Sequence, residues 1–185
     1  MEDLETKNLI IRKFKLEDAE DVHKNLATIT KLADCSGYHV HKDIIETRIM
    51  ISSFINEYEM NELVWALEEK KSGEVIGYIN ALEFSIQNKL CEIKFGIKIG
   101  LENAGIMEEA LEKVLDYLFK EKSFNTVAAK FYDSNSEVTK IKCRTLENVG
   151  MTKEAVLRNR RINEKTKKPE NKIIYSILKE EFYKK

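Results

Sequence analysis

The sequence predicts a mixed α/β (α+β) fold: a splayed sheet of about seven strands with helices on both faces. Three observations predict it. Residues 90–99 alternate as a strand, turn at Gly105 and feed a helix with Ile106, Met107, Ala110, Leu111, Val114, Leu115, Leu118 and Phe119 on one side. Three successive strand patterns, 63–68, 74–84 and 90–99, leave no room for a crossover helix, so the first half is antiparallel. The strand–helix–strand unit around Gly105 supplies the parallel pair, where a sheet can part and admit a ligand.

The elements follow in order. Residues 8–14 alternate as a first strand, and 16–26 carry Leu16, Ala19, Val22 and Leu26 at helical spacing. Residues 43–58 form a second helix, with Ile44, Ile45, Ile51, Phe54, Ile55 and Tyr58 turned inward. Lys71-Ser72-Gly73 joins the next two strands as a hairpin. After the Gly105 helix comes a strand at 124–132. Ser134-Asn135-Ser136-Glu137 then reads as a capping box with Ser134 as the cap. That helix stops at Gly150, a C-terminal glycine. Two closing strands, 151–161 and 172–178, flank a charged hairpin loop at 163–170.

Composition bounds the function. A chain of 185 residues with 43% apolar content is expected to be a single globular domain over 1–185. A net charge of −1 gives no global basic field, so no nucleic-acid partner is expected. No apolar run reaches membrane-span length and no signal pattern opens the chain, which points to a cytoplasmic protein without a membrane partner. Cys35, Cys91 and Cys143 are too scattered for a disulfide framework or zinc site. His39-Val40-His41 is an H-x-H pair with no third ligand nearby, so no metal is expected.

The Gly105 turn is the candidate site. A strand entering a helix through a tight turn leaves backbone N–H groups directed out of the helix N-terminus, where a phosphate can bind. Against this, Glu102, Glu108 and Glu109 crowd the turn, and no basic residue lies within it. A like charge a few ångströms from phosphate costs on the order of a few kcal/mol at intermediate dielectric. Acidic residues also suit a helix N-terminus that binds nothing.

Motifs spread over nearly the whole chain resemble those of the GNAT N-acetyltransferases, in particular the ribosomal-protein N-terminal acetyltransferase branch. Glu5-Thr6-Lys7-Asn8-Leu9-Ile10-Ile11-Arg12 resembles the family's T-x-R-L-x-L-R opening, and Asp18-Ala19 its first-helix D-A. Trp65 falls where the family has a strand Trp. Glu92-Ile93-Lys94-Phe95 resembles E-I-G-Y, and Gly105-Ile106-Met107-Glu108-Glu109-Ala110-Leu111 resembles G-Y-M-T-E-A-L. Gly150-Met151, with Glu154, resembles G-F-x-x-E-G. Ile174-Tyr175-Ser176-Ile177-Leu178, with Glu181-Phe182, resembles I-Y-S-I-L…E-F.

The resemblance implies acetyl-coenzyme A as co-substrate and a primary amine as acceptor, either a protein N-terminus or a small molecule. It implies cofactor contacts at Phe95, Gly96 and Ile97 on the strand, at Asn103, Ala104, Gly105, Ile106 and Met107 in the turn, and at Asn135. The family's N-x-x-S places fall on Thr139 and Lys142, with Asn135 one helical turn upstream. Glu92 and Glu154 stand where a carboxylate can take the amine proton, and Ser136 is the candidate donor to the leaving thiolate. Lys140, Lys142 and Arg144 form either a solvated helix face or a contact for the nucleotide phosphate. The loop Cys35-Ser36-Gly37-Tyr38-His39 is a candidate cover for the acceptor side. Relatives often pair through strands, which leaves a homodimer open. The alternative is a non-catalytic binding or structural protein on the same fold, whose acidic turn no longer grips pyrophosphate.

Overall fold

The computed structural model describes residues 2–30, 39–58, 63–134 and 136–184. Eight strands form one sheet in the order β1-β2-β3-β4-β5-β6-β8-β7. They are β1 (Leu4–Glu5), β2 (Leu9–Arg12), β3 (Leu63–Glu69), β4 (Val75–Ser85), β5 (Leu90–Ile97), β6 (Thr126–Asp133), β7 (Thr152–Ile162) and β8 (Pro169–Leu178). The strand beyond the expected seven is β1, whose two residues are too short to show alternation. Every neighbouring pair is antiparallel except β5 with β6.

That parallel pairing is short. It holds from Leu90–Thr126 to Ile93–Ala129 and then ends. β5 stays with β4 as far as Ile97, while β6 follows β8 to Asp133. The sheet therefore opens between β5 and β6 beyond Ile93, as the crossover at Gly105 predicts.

Helices cover both faces. On one, α3 (Ile106–Lys120) buries its predicted stripe, with Ala110, Leu111, Val114, Leu115, Leu118 and Phe119 all fully enclosed. Trp65 lies in the same core, edge-on to Tyr117 with ring centroids 5.9 Å apart. On the other face lie α1 (residues 16–27) and α2 (Ile44–Glu57). The α1 segment spans residues 16–27 as a 3-10 turn (Leu16–Asp18), an α turn (Ala19–Val22) and a π turn (His23–Ala27). Asp43 caps α2, accepting from the Ile45 and Glu46 amides at 2.9 and 3.0 Å. Arg12 ties β2 to this layer through a two-pronged pair with Asp18, both bonds 2.8 Å, and also holds Glu68 of the neighbouring β3 at 2.6 Å.

Several sequence expectations need correction. Leu16 and Ile45 point to solvent, 52% and 61% exposed, because the helical stripes are narrower than the run of apolar residues. The cap of α4 (Glu137–Asn148) is Ser136, whose Oγ accepts from Thr139 N at 3.2 Å; Ser134 instead donates to Ser136. The hairpin loop ends at Lys168, since Pro169 already pairs with Ile162. At the other end of α4, Gly150 adopts φ 84°. Its amide and that of Met151 donate back to Glu147 and Leu146, which closes the helix as expected.

Candidate active site

The Gly105 turn is built from the end of β5 and the start of α3. Gly105 caps the helix at φ 72°, a left-handed conformation that favours glycine, and no atom lies within 4 Å of a Cβ placed there. The Ala104 amide is used within the turn, donating to Leu101 O at 3.1 Å. Among the described residues, the amides of Gly105, Ile106, Met107 and Glu108 donate to no protein acceptor, as at any helix N-terminus.

The three carboxylates around this turn face other donors. Glu102 accepts from the Gly100 amide at 2.6 Å. Glu108 accepts from Thr145 Oγ1 of α4 at 3.0 Å. Glu109 binds the amide and side-chain nitrogen of Asn8 at 2.8 and 2.7 Å. Burial pushes the Glu109 carboxyl up, but the bonds from Thr6, Asn8 and Lys7 outweigh it and hold the group below its usual range. The open amides are thus free of their own side chains.

The cation absent from the turn arrives from α4. Arg144 donates to Asn103 Oδ1 and stands beside the turn. The sequence carried a signal for this: Arg144, Thr145 and Asn148 form one polar stripe at helical spacing, and Thr145 and Asn148 both reach Glu108. The donor set of open amides and a guanidinium fits a diphosphate.

From the turn, the open edge of β5 leads inward. Lys98 N donates to Ile76 O at 2.7 Å, so even-numbered peptide groups here face β4. Alternation turns those of Phe95 and Ile97 to the side that β6 has left. The Gly96 peptide groups face β4, and its missing Cβ makes room for the Tyr78 ring, 2.7 Å from where that atom would lie. At the narrow end the opening is walled by Phe95, Phe131, Lys130 and Lys142, with about 10 Å³ of free room. Lys142 Nζ lies 5.2 Å from the Phe95 ring centre and 5.8 Å from that of Phe131. Entry of a chain at this point requires the Lys142 side chain to move.

A second cavity, about 180 Å³, lies on the α1–α2 face of the same strands. Phe14, Val22, Leu26 and Phe54 make it apolar, and Asn80 and Lys94 form its floor. Lys94 also borders the β5–β6 opening, so the two spaces share a wall. Asn80 Oδ1 is buried without a donor among the described residues. His41 lines the cavity with Nδ1 2.9 Å from Thr47 Oγ1, and burial holds it below its usual pKa of 6.5. This cavity has no linear signature, because its walls come from four separate elements.

The candidate catalytic residues separate in space. Glu92 lies on the α1–α2 face of β5, two residues from Lys94; it is 5% exposed and paired with Lys130 at 2.5 Å. Glu154 is exposed on β7, three strands from β5, and accepts from Ser176 Oγ at 2.5 Å. Ser136 caps α4 at the end of β6, within a hydroxyl cluster with Ser134 and Thr139. Asn135 and the Cys35–Tyr38 part of the candidate cover lie outside the described residues. Among the described residues, no three His, Cys, Asp or Glu side chains converge as a metal site.

The comparisons match this architecture. Residues 8–152 match the family model described as an acetyltransferase (GNAT) domain. The chain belongs to the GNAT acetyltransferase family. An uncharacterized N-acetyltransferase, p20, from Bacillus licheniformis is 27% identical over 98% of this chain and 99% of its own. A GNAT-family acetyltransferase from Bacillus anthracis superposes with a TM-score of 0.81 at 22% identity, covering 97% of this chain and 100% of that one. A ribosomal alpha-N-protein acetyltransferase, RimL, solved in complex with coenzyme A, superposes with a TM-score of 0.79 at 14% identity, covering 96% and 98%. This GNAT chain is an acetyltransferase by family, and the family draws its acetyl group from acetyl-coenzyme A.

Proposed function

We propose that the chain transfers an acetyl group from acetyl-coenzyme A to a primary amine by direct attack on the thioester. The observation that carries this reading is the Gly105 turn. Its amides at residues 105–108 are open, its carboxylates are engaged elsewhere, and Arg144 supplies the missing charge. Gly105, Ile106 and Met107 would hold the diphosphate through their amides, with Asn103 keeping Arg144 in place. Phe95 and Ile97 would pair with the pantetheine arm through the peptide groups on the open edge of β5, as an added strand does.

The remaining groups suit the chemistry of the acceptor. The apolar cavity excludes water from the amine and takes an apolar substituent beside it. Asn80 Oδ1 offers a hydrogen-bond acceptor to the amine, and Glu92 takes its proton as the C–N bond forms. A peptide N–H on the open edge of β5 stabilises the negative charge that builds on the carbonyl oxygen. An N-terminus or small amine with an apolar neighbour is the acceptor class.

The test combines binding and turnover. Acetyl-coenzyme A is expected to raise the melting temperature, because a ligand at a hundred times its Kd stabilises the native state by about 2.7 kcal/mol. A panel of amines is then followed by thiol release. No thermal shift at millimolar cofactor overturns the reading.

A further inference from the structure

Lys94 breaks the pattern of its strand. Every other residue from Cys91 to Ile97 is buried, and Lys94 is exposed. It stands in the middle of the sheet, on the floor of the apolar cavity under α1 and α2. An apolar residue at this place would simply extend the walls of that cavity. Among the described residues Lys94 has no hydrogen bond or ion pair. The nearest carboxylate along the same strand face, Glu92, is already held by Lys130.

This charge decides what enters. Lys94 is the one charged side chain among the described residues lining the cavity, because burial keeps His41 neutral at pH 7. A primary amine arrives as an ammonium at that pH. An ammonium beside an unmatched lysine is repelled. An acceptor that carries its own negative group removes the repulsion and gives Lys94 a partner.

The strand register places that group. Lys94 lies directly opposite Asn80 across β4 and β5. Residues so paired hold their Cβ atoms about 4.5–5.5 Å apart. An amine and a carboxylate borne on one carbon reach both together. Asn80 Oδ1, buried without a donor, takes the amine, and Lys94 takes the carboxylate. Phe14, Val22, Leu26 and Phe54 surround what else the carbon carries. The space of about 180 Å³ is below the roughly 300–1,000 Å³ of pockets for drug-sized ligands, so that substituent is short.

We propose that the acceptor is a free α-amino acid with an apolar side chain, selected by Lys94 through its carboxylate. This rests on the acetyl-transfer reading above and narrows its acceptor. In a peptide the group beside the amine is a neutral amide, which leaves Lys94 unmatched. The nitrogen bonds the acetyl carbon as the C–S bond breaks and its electron pair goes to sulfur. Of the two protons the ammonium loses, one ends on sulfur and the other passes through Glu92 to water. Lys94 keeps its proton throughout and determines specificity.

Leucine, methionine and phenylalanine are each offered as the free acid, as the carboxamide and as the first residue of a tripeptide, with thiol release as the readout. The wild type should favour at least one free acid over its carboxamide and tripeptide by about tenfold or more in kcat/KM, chiefly through KM. Lys94→Met should erase that preference, and Lys94→Arg should keep it. Calorimetry on the protein saturated with coenzyme A should show the same loss of affinity for the free acid. An exposed lysine without a partner adds little to the fold, so Lys94→Met should melt with the wild type; should it fail to fold, Lys94→Gln serves. Equal use of acid and carboxamide, preference for the tripeptide, or turnover of none of them overturns the amino-acid acceptor. A preference that survives in Lys94→Met overturns the role of Lys94. In each case a thermal shift with acetyl-coenzyme A leaves acetyl transfer standing, whereas no shift sinks that reading and this one with it.

Discussion

Glu92 and Glu154 carry the same carboxylate in opposite surroundings. Glu92 is enclosed on the strand face that carries Lys94 of the cavity floor, two residues away, and is held by Lys130, whose ammonium this bond keeps above its usual range. Glu154 lies in solvent on the far side of β6 and β8, with neighbouring strands about 4.8 Å apart. Proximity decides between them, because a base must reach the amine directly or through one water. Glu92→Gln is expected to lower kcat by about a hundredfold. It should also destabilise the fold by about 1–2 kcal/mol, below the usual figure for a buried pair because Lys130 is 29% exposed. Glu154→Gln should stay within about twofold of wild type, the range of a surface change. Steady-state rates and urea unfolding of the two variants check this; wild-type turnover by Glu92→Gln would remove the base. Sequence spacing matched both residues to the family equally well, since the separation of β7 from the opening depends on the strand order, and strand order is not written locally.

At the scale of elements, α4 governs the site more than the turn it faces. This helix sends Thr145 and Asn148 to Glu108, Arg144 to Asn103 and Lys142 into the opening. The turn read alone left a bound phosphate and an empty, acid-capped N-terminus both open, because a linear reading gives charge but not the direction in which a side chain points. The helix N-terminus itself was legible, as were the Gly150 stop and the α3 stripe, since these are set by neighbours three or four residues apart. The cap at Ser136 was missed because Ser134 has a glutamate three residues on, as a capping box requires, whereas Ser136 has Thr139 there. Arg144→Ala separates these roles. The side chain is exposed, so the free protein should keep its melting temperature. Affinity for coenzyme A should fall about tenfold, the loss of one charge-assisted bond, and the gap between variant and wild type should narrow as salt is raised. Isothermal titration at two ionic strengths measures it. Equal affinities would mean that Arg144 merely restrains Asn103.

For the molecule as a whole, the sheet behaves as two antiparallel blocks, β1 to β5 and β6 to β7, joined by only four residue pairs between β5 and β6. The order of elements made this visible from sequence, because only the Gly105 crossover permits a parallel pair. The apolar cavity stayed invisible because it is assembled from α1, α2, β4, β5 and the segments leading into the two helices, with residues running from Phe14 to Lys94. A ligand laid along the open edge of β5 touches one block through Phe95 and Ile97 and reaches the other through Lys142 and Arg144 of α4. Its effect should therefore spread beyond the atoms it contacts. Amide hydrogen exchange reads this residue by residue. Coenzyme A is expected to slow exchange at Phe95, Ile97 and residues 105–108, where it supplies the acceptors that the protein lacks. Protection should extend to Ile93 and Ala129, since prying the blocks apart would then also break the ligand's contacts. The β7–β8 hairpin, paired independently of the opening, should exchange at the same rate with and without ligand. Protection confined to the Gly105 turn would show a phosphate held without its arm in the opening, and the blocks would then be joined by their own strands alone.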